Sequence, residues 1–367
     1  RMRIALATDA WAPQTNGVVT TLRATAETLT ALGHEVRVIS PQGLRCIPCP
    51  SYPEIRLAVW PGNYVARELQ AFGPHAIHIA TEGTLGLAVR RYCRARRVPF
   101  TTSYHTRYPE YVRARWPIPL AVSYAYMRRF HSAAARTFVA SGTLKDELGT
   151  HGFANLHLWR RGVDLKRFRP QPPHPELAQL PRPIMAYAGR LAIEKNIDAF
   201  LRLDVPGTKV VIGDGPERGA LMARHPHALF TGYRYGEELA RTLASADVLV
   251  FPSLTDTFGI AMIEALACGV PVAAFPVPGP IDVLEPGVTG IVHQDLAVAI
   301  GEALRLDRQR CAERAAKFTW EAATAQFLAG LAPIPAALRA ALAQSRTSAI
   351  IARIAARRQP SGAGDAN

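Results

Sequence analysis

Apolar runs of strand length alternate with stretches of helical spacing along the chain. Arg3–Thr8 predicts a buried strand, and Val18–Leu32 predicts a helix with apolar residues at 18, 19, 22, 26, 29 and 32. Gly33 ends that helix, and Glu35–Ser40 predicts a second strand. Together they form a βαβ unit. Its first loop, Ala12–Gly17, is expected at the carboxyl edge of a parallel sheet, where ligands bind.

The rest of the first half continues this alternation. Gly86–Arg96 predicts a helix, and four segments predict strands: Glu54–Val59, Ala76–Ala80, Phe100–Ser103 and Thr137–Ala140. We therefore expect residues 1–170 to form a doubly wound α/β domain.

Five prolines within Gln171–Pro183 indicate a stiff linker between two domains. Beyond it, residues 184–317 predict a second doubly wound domain. Its strands are predicted at Ile184–Ala188, Lys209–Ile212, Leu229–Tyr233, Ala246–Pro252 and Val270–Phe275, and its helices include Ile197–Leu203 and Glu237–Ala246. Residues 318–358 predict terminal helices, Phe318–Leu331 and Leu338–Arg358, which either pack across to the first domain or lie on a membrane. Residues 359–367 predict a disordered tail.

The segment Thr255–Gly269 combines two carboxylates with a helix start. Asp256 lies on a loop after a strand, and Glu264 lies in the first turns of the helix Ile260–Ala267. Backbone N–H groups around Phe258–Gly259–Ile260 can bind phosphate oxygens, and the carboxylates can accept hydrogen bonds from sugar hydroxyls. This arrangement indicates a nucleotide-sugar site. The alternative is structural, with Asp256 as a helix cap and Glu264 as a solvated helix residue.

Two cations, Arg190 and Lys195, lie in the loop Gly189–Asn196, directly after a predicted strand. Cations at that position can stabilise the negative charge that grows on a leaving diphosphate. The nearby GDGPERG sequence, Gly213–Gly219, is not a dinucleotide fingerprint, because its third glycine comes one residue late and Pro216 occupies the turn.

A polar and aromatic cluster, Tyr104–Tyr111, follows a predicted strand in the first half. His105 within it can serve as a general base, as a hydrogen-bond donor to a sugar hydroxyl, or as a structural histidine. Basic and aromatic residues then interleave, which suits either contact with lipid headgroups or a solvated helix. These residues are Arg113, Arg115, Trp116, Tyr124, Tyr126, Arg128, Arg129 and Phe130.

The net charge of +14 is concentrated in the first half of the chain. Residues 1–175 contain 24 Lys and Arg against 10 Asp and Glu, whereas the remainder has 19 of each. Only five of the 43 basic residues are Lys, which indicates a GC-rich compositional bias, but such a bias does not place the excess on one half. The asymmetry favours an anionic membrane surface as a partner. Nucleic acid is not expected, because no recognition motif is present.

Five cysteines are an odd number, and strand-like sequence begins at Arg3, so we expect a reduced, cytoplasmic protein without a signal peptide. No run of 18 apolar residues predicts a transmembrane helix.

Several short motifs, taken in chain order, resemble those of retaining glycosyltransferases of family 4, over about residues 2–330. They are Asn16-Gly17, HIATEG at His78–Gly83, His105, RGVD at Arg161–Asp164, GRLAIEKN at Gly189–Asn196, GDGP at Gly213–Pro216 and Asp256-x7-Glu264. Members of this family usually carry Glu where Asp256 stands. The NGV loop and YHTRYPEY are most similar to the subgroup of GDP-mannose-dependent α-mannosyltransferases and sulfoquinovosyl- or glucuronosyl-diacylglycerol synthases. The resemblance implies an α/β GT-B fold, in which two doubly wound Rossmann-like domains face a central cleft. The first domain would bind the acceptor and the second the sugar nucleotide.

The resemblance also implies roles for individual residues. Arg190 and Lys195 would hold the donor diphosphate, Asp256 would orient the transferred sugar, and His105 would hydrogen-bond that sugar near the reaction centre; these four are the catalytic candidates. Glu264 would bind the ribose. The remaining donor-side candidates are Gly17, Tyr233, Phe258, Gly259 and Ile260, and the acceptor-side candidates are Asn16, Glu82, Arg107 and Tyr108.

The implied reaction moves a hexose from GDP-mannose or a UDP-sugar to a lipid such as diacylglycerol, at the inner face of the cell membrane. No D-x-D motif occurs, so we expect no metal and no cofactor, with front-face retention at the sugar. A soluble or polysaccharide acceptor is an alternative, and a GT-B sugar phosphorylase or nucleotide-sugar epimerase is an alternative of another class.

Overall fold

The computed structural model describes residues 1–14, 16–50, 53 and 55–343. The first half alternates strands and helices, in this order: β1 (Arg3–Ala7), α1 (Gly17–Ala31), β2 (Glu35–Ile39), β3 (Cys46–Pro48), β4 (Arg56–Ala58), α2 (Gly62–Phe72), β5 (Ala76–Ile79), α3 (Thr84–Ala95), β6 (Thr101–Ser103), α4 (Tyr108–Arg115), α5 (Leu120–His131), β7 (Arg136–Val139), α6 (Gly142–Thr150) and β8 (Leu156–Leu158).

The second half repeats this alternation, in this order: α7 (Pro175–Ala178), β9 (Ile184–Ala188), a 3-10 turn (Ile193–Lys195), α8 (Ile197–Leu201), β10 (Thr208–Ile212), α9 (Arg218–Arg224), β11 (Leu229–Gly232), α10 (Gly236–Ala244), β12 (Val248–Phe251), α11 (Ile260–Ala267), β13 (Val272–Ala274), α12 (Pro280–Val283), β14 (Gly290–Val292), α13 (Leu296–Ala303), α14 (Arg308–Ala315) and α15 (Trp320–Gly330). Residues 336–343 are also helical. The part of Leu338–Arg358 beyond residue 343, and the tail 359–367, lie outside the described residues.

Each half has one six-stranded parallel sheet within the described residues. The strand orders are β2-β1-β5-β6-β7-β8 and β11-β10-β9-β12-β13-β14. In each sheet the winding reverses beside its first strand, so that the neighbours β1 and β5, and β9 and β12, send their following loops in opposite directions. Such a switch point leaves a crevice at the carboxyl ends of the strands, and ligands bind there in open α/β sheets.

The strand predicted at Glu54–Val59 does not belong to the parallel sheet. Arg56–Ala58 pairs antiparallel with Cys46–Pro48 in a separate two-stranded ribbon, and Glu54 itself lies outside the described residues. The sixth strand of the first sheet is Leu156–Leu158, which was not predicted. Its three residues are partly exposed and carry His157 in the centre, so its alternation gave little signal.

The end of the described chain returns to the first half. Phe327 of α15 is fully buried against Phe138 and Trp159, at centroid distances of 5.5 and 4.8 Å. Leu338 and Leu342 pack on a second apolar cluster of that half. The apolar positions predicted for this region therefore cover the first domain along the described residues.

The chain crosses between the two halves twice, and the two crossings touch. Val163 N donates to Phe318 O at 2.9 Å. A Cβ on Gly162 would lie 2.4 Å from the backbone N of Trp320, so only glycine permits this approach.

Candidate active site

A cleft of about 590 Å³ lies between the carboxyl edges of the two sheets. The loops at both switch points supply its walls. All but one of the candidate residues predicted from the sequence line it: Asn16, Gly17, Glu82, His105, Tyr108, Arg190, Lys195, Tyr233, Asp256, Phe258, Gly259, Ile260 and Glu264. The remaining candidate, Arg107, does not.

Lys195 and Asp256 form a close ion pair in the second half of the cleft. Lys195 Nζ lies 2.6 Å from Asp256 Oδ2, and both side chains are mostly buried. Burial by itself would lower the pKa of Lys195, but Asp256, Tyr111 and Tyr187 outweigh it and raise that pKa. The ammonium is therefore charged at neutral pH, and the ion pair with Asp256 holds it after β9.

Arg190 is held by a buried carboxylate that the sequence did not single out. Glu194 accepts from Arg190 at 3.2 Å and, from the other half, from Arg115 at 2.9 Å. Only 4% of the Glu194 side chain is exposed. Two arginines around one carboxylate leave a net positive charge here, which suits an anion bound across the cleft.

Helix α11 begins at the cleft, and Gly259, Ile260 and Ala261 at its start line it. Gly259 precedes the helix with φ +90°, and a Cβ there would lie 2.8 Å from the Phe251 ring. Helix α1 starts opposite, where the Asn16 side chain accepts from Val18 N and Val19 N. The two helix starts face each other closely, because a Cβ on Gly17 would lie 3.9 Å from Ile260 Cδ1. Unpaired amide groups at helix starts bind phosphate oxygens.

Glu264 lies in the first turns of α11 and lines the cleft. Its side chain forms no hydrogen bond or ion pair with the described residues, and it is partly buried rather than fully solvated. Gly259, not Asp256, occupies the position before α11, so Asp256 does not cap this helix. Burial raises the pKa of Glu264 to about 8, and the more distant Arg167 only partly offsets this. A buried carboxylate without a partner is costly, and such groups mark functional sites.

His105 has a defined tautomer, set by Arg161. Arg161 Nη2 lies 3.1 Å from His105 Nδ1, and because a guanidinium can only donate, Nδ1 must be the accepting nitrogen. The ring proton is therefore on Nε2, which is buried and has no hydrogen-bond partner among the described residues. Burial, Arg161 and His78 hold the pKa of His105 well below its ordinary value of 6.5. His105 is thus a neutral donor and cannot collect a proton as a base near neutral pH.

On the first-half side of the cleft, Glu82 is hydrogen-bonded to a buried histidine, His131. Glu82 Oε1 accepts from His131 Nε2 at 3.0 Å, and His131 Nδ1 lies 2.8 Å from Thr102 Oγ1. Nearby, Asp9 accepts from Thr81 Oγ1 at 2.8 Å and from Leu85 N at 2.8 Å, at the start of α3. Burial raises the pKa of Asp9.

Both halves of the chain match known family models. Residues 15–167 match Glycosyltransferase Family 4, and residues 182–306 match Glycosyl transferases group 1. A GDP-mannose-dependent alpha-mannosyltransferase of Mycobacterium tuberculosis (strain CDC 1551 / Oshkosh) is 33% identical over 317 residues, which are 79% of this chain and 83% of the relative.

The chain belongs to glycosyltransferase family 4.

Other known proteins are also similar to this chain. Sulfoquinovosyl transferase SQD2 of Arabidopsis thaliana is 29% identical over 78% of this chain and 62% of its own length. Among solved structures, a sucrose-phosphate synthase of Thermosynechococcus elongatus has a TM-score of 0.71 at 22% identity, covering 89% of this chain and 97% of that one. The GT-B fold, family 4 membership and glycosyltransferase activity predicted from the sequence are confirmed.

Arg107, an acceptor-side candidate from the sequence, does not line the cleft. It is almost fully buried, and its guanidinium is bound by Glu147 and lies 3.6 Å from Glu110. Glu110 is only three residues away on α4, but Glu147 lies on α6, 40 residues away, and its position near Arg107 could not be read from local sequence. Tyr233 lies at the rim of the cleft, with its ring 5.9 Å from that of Tyr235.

The cleft of the glycosyltransferase contains further polar residues that the sequence reasoning missed. Arg161, Glu194 and Asp9 all line the cleft, and Glu194 also holds Arg190 by an ion pair. Arg161 was noted only as part of RGVD. Asp9 follows β1 directly, and its position at the carboxyl end of the first strand was a usable signal.

Proposed function

We propose that this glycosyltransferase transfers mannose from GDP-mannose to the hydroxyl of a lipid, at the inner face of the cell membrane and without a metal ion. The observation that carries the donor site is the meeting of Arg190, Lys195 and the start of α11 in one cleft with Glu264. The cations and amides match a diphosphate, and the carboxylate matches the hydroxyls of a ribose.

Guanine and mannose are proposed from the relatives. Three that are 32–33% identical are named GDP-mannose-dependent alpha-mannosyltransferases, from Mycobacterium tuberculosis, Corynebacterium glutamicum and Mycolicibacterium smegmatis.

The proposed reaction retains the configuration of the sugar. The bond between C1 and the phosphate oxygen breaks first, leaving an oxocarbenium-like sugar whose former partner, the diphosphate, is stabilised by Arg190 and Lys195. The acceptor hydroxyl then bonds to C1 from the same face and gives its proton to the departing phosphate oxygen. Because His105 is a neutral Nε2–H donor, it would bind a sugar oxygen rather than remove a proton.

Asp256 would orient the transferred sugar in this scheme. Its Oδ2 accepts from Lys195, which leaves Oδ1 to accept from a sugar hydroxyl. Thr257 Oγ1 donates to His105 O at 3.0 Å across the cleft, so the loop that carries Asp256 is tied directly to the residue proposed to bind the same sugar.

A lipid acceptor is supported by the surface around α4 and α5. Apolar side chains are exposed there beside the basic residues of the first half. Trp116, Ile118, Leu120 and Val122 are 37–59% exposed. Exposed aromatic and aliphatic groups among arginines suit the headgroup level of an anionic membrane. No helix in the described part of the chain is long and apolar enough to cross a membrane.

The donor is tested by thermal unfolding with GDP, UDP and ADP and their sugar conjugates, in the presence of EDTA. A ligand that binds only the folded state raises the melting temperature by mass action, so a shift that is largest with GDP-mannose is expected. Transfer of labelled mannose into lipid extracts then tests the reaction. A larger shift with a UDP-sugar, or loss of transfer in EDTA, would refute the corresponding part of the proposal.

The membrane is tested by sedimentation with vesicles. Binding to phosphatidylglycerol vesicles, weakened by salt and by a Trp116→Ser/Val122→Ser double variant, is expected. Equal binding of this variant and of a matched Val298→Ser/Met222→Ser variant, altered in exposed apolar residues of the other half, would contradict the assignment of the surface.

A further inference from the structure

The Glu82–His131 pair, in the half of the cleft opposite the donor cations, has no role in the reaction as proposed above. We infer that it selects the acceptor: Glu82 accepts a hydrogen bond from an uncharged acceptor hydroxyl, and His131 is the positioning residue that holds Glu82 in place. This inference rests on the proposed function and narrows its acceptor to lipids whose reacting end carries no phosphate.

The hydrogen bonds around His131 run in one direction, toward Glu82. A carboxylate can only accept, so His131 Nε2 carries the ring proton and donates to Glu82 Oε1 at 3.0 Å. In the neutral ring, His131 Nδ1 then accepts from Thr102 Oγ1 at 2.8 Å, and Thr102 accepts from Thr137 Oγ1 at 3.0 Å. His131, Thr102 and Thr137 are fully buried, so the surrounding protein holds this series of hydrogen bonds in place.

The series of hydrogen bonds ends at the Glu82 carboxylate, which can accept further hydrogen bonds. Glu82 lines the cleft, and 17% of its side chain is exposed. Its second oxygen, Oε2, receives no hydrogen bond from the described residues. Tyr126 fixes the backbone at this point, because its hydroxyl donates to Glu82 O at 3.1 Å. A carboxylate held at one oxygen and open at the other is suited to accept from a ligand hydroxyl.

The charges on this wall of the cleft favour a neutral group over a phosphate beside Glu82. Among the described residues of the first half that line the cleft, the formally charged side chains are Asp9, Glu82 and Arg161. Arg161 is committed to Trp159 O at 2.6 Å and to His105. The arginines that make this half basic lie elsewhere, so the cleft wall is acidic although the domain is basic. A phosphate beside Glu82 would be repelled, whereas a neutral hydroxyl would donate to it.

The test compares two lipid acceptors in phosphatidylglycerol vesicles with GDP-mannose as donor. Diacylglycerol offers a neutral hydroxyl, and phosphatidylinositol offers hydroxyls beside a phosphate. The wild type should use diacylglycerol with the higher kcat/KM. Glu82→Gln should raise the KM for diacylglycerol by about 10- to 100-fold, because a charge-assisted hydrogen bond is lost, and should narrow the preference between the two lipids. Its melting shift with GDP-mannose should equal that of the wild type.

Variants of His131 separate positioning from mere packing. His131→Met removes the donor and should raise the acceptor KM as Glu82→Gln does, with little change in kcat. His131→Gln, whose amide nitrogen can replace Nε2, should restore the acceptor KM. Glu27→Gln removes an exposed carboxylate of α1 and serves as the charge-matched control. If the His131 variants do not fold, the acceptor KM of Glu82→Gln alone tests the inference.

Two outcomes would overturn the inference and can be told apart. An unchanged acceptor KM in Glu82→Gln, or a wild-type preference for phosphatidylinositol, would overturn the inference while transfer from GDP-mannose upholds the proposed function. If GDP-mannose gives no melting shift and no transfer to either lipid, the proposed function fails and the inference fails with it.

Discussion

Replacing Glu264 by Gln should make the protein more stable and its donor binding weaker. Burial raises the pKa of Glu264 from an ordinary 4.5 to about 8. The folded state therefore holds this proton more tightly than the unfolded state does, and the free energy of unfolding falls as pH rises from about 4.5 to about 8. At about 1.4 kcal/mol per pKa unit, the full effect is about 5 kcal/mol, of which about 4 kcal/mol develops between pH 5 and pH 9.

The assay is urea unfolding of the wild type and the Glu264→Gln variant at pH 5, 7 and 9. Gln has the same shape but does not ionise, so the variant should be close to the wild type at pH 5 and clearly more stable at pH 9. The same variant should bind GDP-mannose about tenfold more weakly, because a neutral amide oxygen replaces a charged acceptor. A stability difference that does not change with pH, or a variant less stable than the wild type at pH 9, would refute the reasoning from burial.

Three further predictions concern the donor side. The Arg190→Ala/Lys195→Ala variant should lose about two to three orders of magnitude in kcat, and a variant that keeps most of the transfer rate would remove these cations from catalysis. His105→Gln, which retains an N–H near the position of Nε2, should keep more activity than His105→Ala; equal activities would show that the donor is not used. Arg161 sets the tautomer of His105, so Arg161→Met should lower kcat. Burial lowers the pKa of Arg161 to about 9, which shows that its buried charge is costly, so the same variant should not lower the melting temperature. An unchanged kcat with a lower melting temperature would assign Arg161 to packing alone.

The donor side could be predicted further from the sequence than the acceptor side. Arg190, Lys195 and the Asp256–Glu264 segment each follow a strand end, so local periodicity places them at the same sheet edge. Arg107 shows the limit of such reasoning. It also follows a strand, but Glu147, 40 residues away, draws it into an ion pair. His131 was missed for the same reason, because its partners Glu82 and Thr102 are distant in sequence and only the fold brings them together.

The contact between the two interdomain crossings has a mechanical consequence. Gly162 lies against the backbone of Thr319 and Trp320, so the outgoing and returning chains pass through one small region. Any closing of the two halves around a substrate must then rotate about an axis through that region, which acts as the hinge. Gly17 and Ile260, which face each other across the cleft, would move relative to each other as the halves close.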